Sequence, residues 1–592
     1  MSFHQPRVHT KSDAAHTLVR CSALALTVFF GATGSGFAQT ASQITPPSFR
    51  PPQTGGGNAL VFSGQPGLGT PAGAERLSVR LSDVTIESAP PAFAADVQRV
   101  QGRLVGRQIL ASEIFAAARD LEAALIASGA VLTRVVLPAQ QLRNGGRLRL
   151  VVVSGFIERV DYRNVPDPVR SRVSALLEPL IGRRDLQIGE IERRLLLAGD
   201  TPGVALRSTL SPSTAQGGTA LIIDSIYKPV TGFFSGDNTV GRQLGGFSLG
   251  GGIDINTAFG QGETIYFRGF GYPGENDARG IGSPFGDNPR LRTLAGGFIL
   301  PLGTDGMTFN FEATNSKTAP RQTNGIQTSS DFERLSFRLR YPWLRSRTAN
   351  FFTELDFDAT REQLGLILPS TSAPLSLDEL RVFRLSGAGD MRFDNGGLLA
   401  ASGTLSLGVN GLGARSAADA TPLLPLSRLG ADAEFQKFDA LISYSQPLFD
   451  PVVLGLYARG QTSFGQALAR SEQIGFASFQ ELSTFDAGSL GGDSGWVVRG
   501  ELSTPFNVTP QGLPLSIAPY VFGATGALYL EQPTALEKAR LSVSAVGVGV
   551  RLLSQAEPTG TLTTLTLEFG RRFRNDTLPD TNRFTVVGAV RY

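Results

Sequence analysis

Residues 491–496 read Gly-Gly-Asp-Ser-Gly-Trp, a spacing that would present Ser494 between glycines as a nucleophile. A serine hydroxyl reacts only when a neighbouring base takes its proton, and that base is usually a histidine. The chain has three histidines, His4, His9 and His16, all in an N-terminal segment that we expect to be removed. No lysine lies in a recognisable dyad motif. The motif therefore predicts no serine-protease chemistry.

The rest of the composition excludes further classes of site. The one cysteine, Cys21, lies in the same N-terminal segment, so the remaining chain has neither thiolate nor imidazole. These groups bind most protein zinc and serve in most acid–base catalysis. No G-x-x-x-x-G-K-[ST] motif for nucleotide phosphates is present. We expect a protein that is not an enzyme and that uses no cofactor, metal, nucleotide or nucleic acid.

Residues 1–38 have the features of a signal peptide. Basic residues precede the apolar stretch 21–30, and small residues follow it up to Ala38, after which we expect cleavage. An uncleaved anchor is the alternative, but the apolar stretch has half of the ~20 residues that a spanning helix needs. Residues 39–75 are rich in Pro, Gly, Ser and Thr and are predicted to be a flexible linker.

Residues 76–154 and 155–226 repeat one structural unit. The first copy reads as a strand, one helix near 112–128 and two further strands, and the second as a strand, helices near 168–180 and 187–198 and two further strands. This predicts two small α/β modules with an open sheet edge. An extended partner segment could add a strand to such an edge. We expect contacts with a partner beside the edge of the first module, at Gln140, Gln141, Leu142, Arg143 and Asn144.

Residues 227–592 change to segments of about ten residues in which apolar and polar positions alternate. We count 16 such segments, and longer connections between them alternate with shorter ones. An even strand number and sorted loop lengths are typical of a closed antiparallel transmembrane β-barrel, whereas a soluble sandwich has no reason to sort its loops. Seven arginines on the polar faces are expected to line a pore: Arg334, Arg338, Arg340, Arg459, Arg499, Arg551 and Arg591.

The longest connection of the predicted barrel is residues 464–494. Irregular segments of this length are usually functional or disordered. We expect this loop to enter the barrel, held mainly by Asp493, through arginines such as Arg499 or Arg459, and by Trp496. A surface loop whose tryptophan marks the membrane interface is the alternative. The motif that we assign to the loop comprises Gly491, Gly492, Asp493, Ser494, Gly495 and Trp496.

The chain ends in the alternating strand RFTVVGAVRY. Phe584 and Tyr592 share its apolar, lipid-facing side. A terminal aromatic residue in this position is similar to the signal by which barrel precursors are recognised for insertion. We therefore expect the barrel-assembly machinery and outer-membrane lipid as partners.

Two long segments resemble one family. ALIASGAVLTRVVLPAQQLRNGGRLRLVVVSGFIERV, within 95–160, resembles the first POTRA domain of two-partner secretion transporters (TpsB type; haemolysin secretion/activation proteins of the ShlB/FhaC/HecB family), and GEIERRLLLAGDTPGVALRSTLSPSTAQGGTALII resembles their second. With the strands and GDSGWVVRGEL, the resemblance covers 76–592. It implies periplasmic POTRA modules and an outer-membrane barrel, in a Gram-negative cell, that exports one large exoprotein.

The sequence departs from the family at the long loop. The family carries an arginine at the loop tip that pairs with an aspartate of the barrel wall, whereas this chain reads STFDAGSL at the tip and has Ala524 in the wall. Both partners are absent together, which avoids a lone buried charge. Two other functions stay open at this point: a barrel-assembly insertase of the same superfamily, and a porin or receptor, which would have no reason to carry POTRA modules.

Overall fold

The computed structural model describes residues 39–49, 60–62, 70–215, 217–274, 280–322, 326–368, 371–510, 514–555 and 560–592. The predicted signal peptide, with all histidines and Cys21, lies outside the described residues. Within these ranges no helix is both long enough and apolar enough to cross a bilayer.

The first module is a four-stranded sheet covered by two helices. Leu81, Leu148 and Leu150 of the sheet and Leu121 of the covering helix are almost fully buried in one apolar core. The sheet order is β3-β2-β5-β4, with β2 and β5 parallel. The elements are β2 (Ser78–Glu87), α2 (Ala94–Leu104), β3 (Gln108–Leu110), α3 (Ala111–Ala127), β4 (Arg134–Val136) and β5 (Gly146–Val153), preceded in the chain by α1 (Ala41–Ile44) and β1 (Leu60–Phe62).

The second module repeats this design with its own core, which includes Ile157, Val173 and Ile191. Its sheet order is β1-β7-β8-β6, so β1 from the predicted linker pairs in parallel with β7. The edge that we expected to be open is therefore occupied by the chain itself. The elements are β6 (Phe156–Asn164), α4 (Asp167–Leu177), α5 (Ile188–Gly199), β7 (Val204–Pro212) and β8 (Gly218–Tyr227).

The remaining strands form a closed antiparallel barrel of 16 strands among the described residues, as predicted. The short β21 continues β20, because both pair with β22. The strands are β9 (Val230–Asp237), β10 (Ser248–Asn256), β11 (Thr264–Gly271), β12 (Leu291–Leu302), β13 (Met307–Thr318), β14 (Thr328–Arg345), β15 (Ala349–Ile367), β16 (Ser372–Arg392), β17 (Leu398–Gly408), β18 (Phe435–Phe449), β19 (Val452–Thr462), β20 (Ser494–Ser503), β21 (Phe506–Val508), β22 (Leu515–Tyr529), β23 (Arg540–Gln555), β24 (Leu562–Arg574) and β25 (Asn582–Arg591).

The pleat of each strand sorts apolar side chains outward and polar side chains inward. Phe311, Phe337, Phe357 and Phe383 form a continuous row on the outer wall, with ring centroids of successive neighbours 4.9–6.3 Å apart. Glu312, Ser336 and Asp358, one step from these rings in sequence, are buried on the inner side. The outer face is therefore suited to lipid, and the inner face to polar contacts.

The second module sits against one end of the barrel, which we call the near rim and which carries the short turns 303–306 and 346–348. Arg193 and Arg194 of α5 donate to the carbonyl oxygens of Pro342 and Thr304, at 2.9 and 2.8 Å. The buried Arg345 makes a two-pronged ion pair with Asp200, with its shorter N–O distance 2.7 Å. The opposite end, the far rim, carries the long connections 409–434 and 463–493.

The first and last barrel strands close the ring. Val590 pairs with Phe234, and beyond the ladder the backbones of Tyr592 and Gly232 exchange hydrogen bonds of 3.0 and 3.2 Å. A Cβ atom on Gly232 would lie 2.7 Å from the Gly252 carbonyl oxygen and 2.6 Å from the Tyr592 hydroxyl. The seam therefore requires glycine at this position.

We predict that Gly232→Val weakens closure of the barrel, because the backbone contact cannot be relieved by a side-chain rotation. The measurement is the fraction of purified protein that migrates as a folded barrel in unheated SDS gels. Gly523→Val is the matched control, since a Cβ there meets no atom within 4 Å. Equal folded fractions for the two variants would contradict the prediction.

Candidate functional site: the barrel lumen

The long loop, observed as residues 463–493, folds back into the barrel. Its side chains Phe476, Leu482 and Phe485 are buried to 1% exposure or less and pack on Phe522 and Ala524 of β22. Ala524, where the family resemblance implies a wall aspartate, is thus part of an apolar contact. Burial of apolar surface is the main attachment of the loop tip.

Polar contacts surround this apolar cluster. Arg499 of β20 pairs with Glu568 of β24 at 2.7 Å and donates to the Ser483 hydroxyl of the loop at 3.1 Å. Glu568 also accepts from the hydroxyl groups of Ser483 and Tyr520. The loop tip therefore completes a buried network that begins in the barrel wall.

A further ion pair joins the loop tip to the last strand. Asp486 of the loop accepts a hydrogen bond from Arg583 of β25 at 2.5 Å. The acid is on the loop and the base is on the wall. This is the reverse of the charge order that the family resemblance implies.

Asp493 connects three far-rim segments. Its carboxylate pairs with Arg428 from 409–434 at 2.5 Å, and it accepts from the backbone N–H of Leu468 at 3.0 Å and of Glu531 at 2.7 Å. Asp493 is fully buried and Arg428 is 9% exposed. Charge-assisted bonds of this kind fix the relative position of the connections that cover the far rim.

The other part of the lumen is filled by residues 39–49, which the composition predicts to be a flexible linker. Helix α1 lies against β13 and β14, and the segment after it crosses the inner wall with Pro46 and Pro47 exposed to the lumen. The helix ends after one turn, before Thr45 and Pro46. The backbone of the residues that follow is bound by side chains of the barrel wall. The linker prediction is therefore wrong for these residues.

The two fillings touch each other. The Gln39 amide donates to the Ala487 carbonyl oxygen of the long loop at 2.7 Å. Ile44 packs in a small apolar cluster with Val240 and Leu244, which Ala487 also contacts. The segment and the loop together form one continuous obstruction.

The predicted pore-facing arginines lie on inner faces, and six of the seven contact acids or aromatic rings there. Arg334 and Arg338 contact Glu312 at 3.3 and 3.7 Å. The rest are placed as follows: Arg340 over the Phe352 ring, Arg459 beside Asp439 and Glu481, Arg499 on Glu568, Arg551 on Glu501, and Arg591 on the same face of β25 as Thr585. Asp493 meets neither Arg499 nor Arg459, contrary to our expectation.

The predicted loop motif is divided between the loop and β20. Gly491, Gly492 and Asp493 end the loop, and Gly492 exchanges two backbone hydrogen bonds with Ile474. Ser494, Gly495 and Trp496 begin β20. Trp496 is 42% exposed on the outer face, so the prediction that it holds the loop is wrong. Trp496 points outward because side chains alternate along the strand and its neighbour Val497 points into the barrel.

The remaining predicted residues lie outside the lumen. Gln140 holds the N–H and C=O of Arg149 on β5, at 2.9 and 2.7 Å, and Asn144 accepts from the backbone N–H of Arg80 on β2. Leu142 packs on the core of the first module, and Arg143 donates to Gln141. Phe584 and Tyr592 face outward, with exposures of 54% and 51%.

Sequence reasoning missed the acids that organise the lumen. Glu312, Glu362 and Glu568 are each at most 5% exposed. The first two bind residues 39–49, and Glu568 binds the long loop. One signal in the sequence could have identified them: each carboxylate alternates with lipid-facing residues in its strand, which places it on the inner face of the barrel. The partner of each acid lies far away in sequence and leaves no such signal.

We predict that Asp493→Ala loosens the far rim, because Arg428 would stay buried without its carboxylate at a cost of about 3–5 kcal/mol. Faster trypsin cleavage within 409–434 and 463–493 of the folded protein is the expected result. Asp419→Ala is the control, since the carboxylate of exposed Asp419 accepts hydrogen bonds from Ser416 of its own connection. Cleavage at the rate of the control would contradict the prediction.

We predict that a Ser48→Cys/Ser336→Cys pair locks residues 39–49 in the lumen. The two hydroxyl oxygens are 3.3 Å apart, so an oxidant can be used to join cysteines at these two positions. The oxidised double variant should show lower conductance in planar bilayers than either single variant, and a reductant should restore it. Conductance that does not respond to the reductant would show that the segment does not obstruct the channel.

Comparisons with known proteins agree with this architecture. Residues 217–552, more than half of the chain, match the family model "Haemolysin secretion/activation protein ShlB/FhaC/HecB", and residues 79–155 match the model "POTRA domain, ShlB-type". A search of curated proteins finds no match.

Two solved structures share the fold across nearly the whole chain. CdiB from Escherichia coli has a TM-score of 0.62 and 17% identity, covering 99% of this chain and 100% of its own. CdiB from Acinetobacter baumannii has a TM-score of 0.55 and 14% identity, with 99% of each chain covered. With a closed barrel, POTRA modules and a family match over more than half of its length, the chain belongs to the ShlB/FhaC/HecB family of haemolysin secretion/activation proteins, the TpsB-type transporters of two-partner secretion.

Proposed function

We propose that this transporter exports one large exoprotein through the barrel lumen, and that the arrangement described here is its closed state. The observation that carries the proposal is the filled lumen. Residues 39–49 are held there mainly by polar contacts, which water or another peptide can replace at small net cost. A permanent structural core would instead be expected to bury more apolar surface.

The two modules receive the exoprotein on the periplasmic side of the outer membrane. Support comes from the attachment of the second module to the near rim through Arg193, Arg194 and Arg345. This attachment places a strand-accepting sheet beside the barrel entrance. The exoprotein can therefore pass from module to lumen without leaving the protein.

Recognition uses β-strand addition at a module edge. The pairing of β1 with β7 supports the idea that the edge of the second module accepts an extended segment in parallel. In the first module the Gln140 amide covers the backbone of Arg149, so a partner strand beside Gln140–Asn144 must first displace this side chain. At the β7 edge a partner strand must likewise displace β1, which shows that this edge binds a full extended strand, so we expect it to contribute more than the edge beside Gln140.

Insertion of the barrel depends on its last strand. Phe584 and Tyr592 lie outward on β25 and present aromatic rings to lipid. We propose that the barrel-assembly machinery reads these two rings before the seam with β9 closes. Lipid then covers the outer aromatic row.

The direct test removes the transporter from a strain that carries it and compares the proteins of the culture medium. Export predicts the loss of one large protein, its restoration by the wild-type gene, and no restoration by the oxidised Ser48→Cys/Ser336→Cys variant. Trypsin added to intact cells should spare residues 70–226, and it should cut them once the outer membrane is opened. An unchanged medium, with the barrel present in the membrane, would overturn the proposal.

A further inference from the structure

The inner wall holds residues 41–49 through a row of side chains on β13, β14 and β15. Ser330 accepts from the N–H of Ala41 at 3.0 Å, and Glu362 accepts from the N–H of Ser42 at 3.0 Å and from its hydroxyl at 2.7 Å. Farther along, Arg334 donates to the carbonyl oxygen of Pro46 at 3.3 Å. Most of these contacts reach the backbone, which every peptide shares.

Phe49 is the best-held residue of the segment. Its N–H donates to Glu312 at 2.9 Å, and its carbonyl oxygen accepts from Arg338 at 2.9 Å and from Asn310 at 3.3 Å. Both backbone polar groups of Phe49 are thus bound by wall side chains, of which Glu312 and Arg338 are almost fully buried. A wall built only to be an inert channel has no need for this arrangement.

The Phe49 ring has a seat of its own. Its centroid lies 4.8 Å from that of Tyr266 and 4.3 Å from the Arg268 guanidinium. Tyr266 is fully buried, and its hydroxyl group binds Asn310 and Glu312 at 3.0 Å each. Arg268 is paired with Asp254. The seat is fixed by the barrel itself and does not depend on the segment.

We propose that this track is a peptide-binding site for the exoprotein in transit. The track comprises Ser330, Glu362, Arg334, Glu312 and Arg338, with the seat Tyr266 and Arg268. Its ligand is an extended segment that carries an aromatic residue, and residues 41–49 occupy it only until a passing segment takes their place. This inference rests on the proposed export function and names the surface that the exported chain touches.

The contacts explain why an aromatic residue is preferred over other side chains. A ring placed between Tyr266 and Arg268 gains both ring packing and a cation–π contact, whereas an aliphatic side chain gains only burial. The backbone contacts tolerate any sequence. The track can therefore hold successive segments of one chain wherever an aromatic residue reaches the seat.

The first test uses the transporter without residues 39–49 in planar bilayers, with the amidated peptide Thr-Pro-Pro-Ser-Phe as the probe. The peptide should block the current transiently, and Thr-Pro-Pro-Ser-Ala should need about a tenfold higher concentration or more. Arg268→Ala should remove the difference between the two peptides. Arg551→Ala, which deletes an inward arginine of the opposite wall, is the matched control and should keep it.

Equal block by both peptides, or no block by either, would overturn the proposal. If the deletion variant fails to form a barrel, full-length Phe49→Ala serves instead, because it empties the ring seat and leaves the backbone contacts in place. In that variant the peptide with phenylalanine should again block at lower concentration. The bilayer result does not depend on the identity of the exoprotein.

The second test separates transit from simple retention of residues 39–49. In the deletion background the segment is gone, so a wall that served only to hold it would tolerate Arg268→Ala without loss of secretion. We expect Arg268→Ala to reduce secretion several-fold in this background. Tyr266→Phe, which keeps the ring, should reduce secretion less. Normal secretion by the Arg268→Ala deletion variant overturns the inference and leaves the export function standing, whereas loss of export from the wild type overturns both.

Discussion

Charges inside the barrel are stable only with partners, and the pairing of inward arginines with inward acids organises the lumen. Removal of an arginine or carboxylate from water costs several kcal/mol, which only an opposite charge with good geometry repays. Arg499 meets Glu568, Arg428 meets Asp493, and Arg338 meets Glu312 across different strands and connections. Each of these acids also binds a loop or the N-terminal segment. The charged side chains of the inner wall therefore also hold the two fillings of the lumen.

The same constraint explains how the loop tip can lack the family's ion pair. With Ala524 in the wall, an arginine at the tip would have no partner there, and the tip instead buries Phe476, Leu482 and Phe485. Charge returns at the border of this apolar cluster, where Asp486 meets Arg583. The loop tip is therefore joined to the wall by an ion pair whose acid is on the loop and whose base is on the wall.

The sequence predicted the barrel well because alternation is a local signal. Strand number, the inward arginines and the outward Phe584 and Tyr592 follow from alternation along each strand. The entry of the long loop was expected from its glycines and from the family resemblance, because its length alone does not distinguish it from a surface loop. Helix α2 was missed because its buried stripe is thin, with only Val100 and Leu104 buried. Residues 39–49 were misread for a different reason. Their composition suits a flexible chain, and only the distant side chains of β13, β14 and β15 give them a fixed position.

The two fillings of the lumen differ in how strongly they are attached. The long loop buries Ile474, Phe476, Leu482, Phe485 and Leu490, which at about 1.5–3 kcal/mol for each large apolar side chain is on the order of 10 kcal/mol.

The N-terminal segment buries only Ala41 and Ile44 among its apolar residues. It otherwise relies on hydrogen bonds, of about 0.5–1.5 kcal/mol net each between neutral groups and about 1.5–3 kcal/mol each where Glu312, Glu362 or Arg338 takes part. Those bonds are exchanged for water, or for the backbone of another peptide, without loss of a packed core. If export proceeds as proposed, we therefore expect the segment to leave before the loop. The loop stays on the wall, so the passage that opens is bordered by β13, β14 and β15.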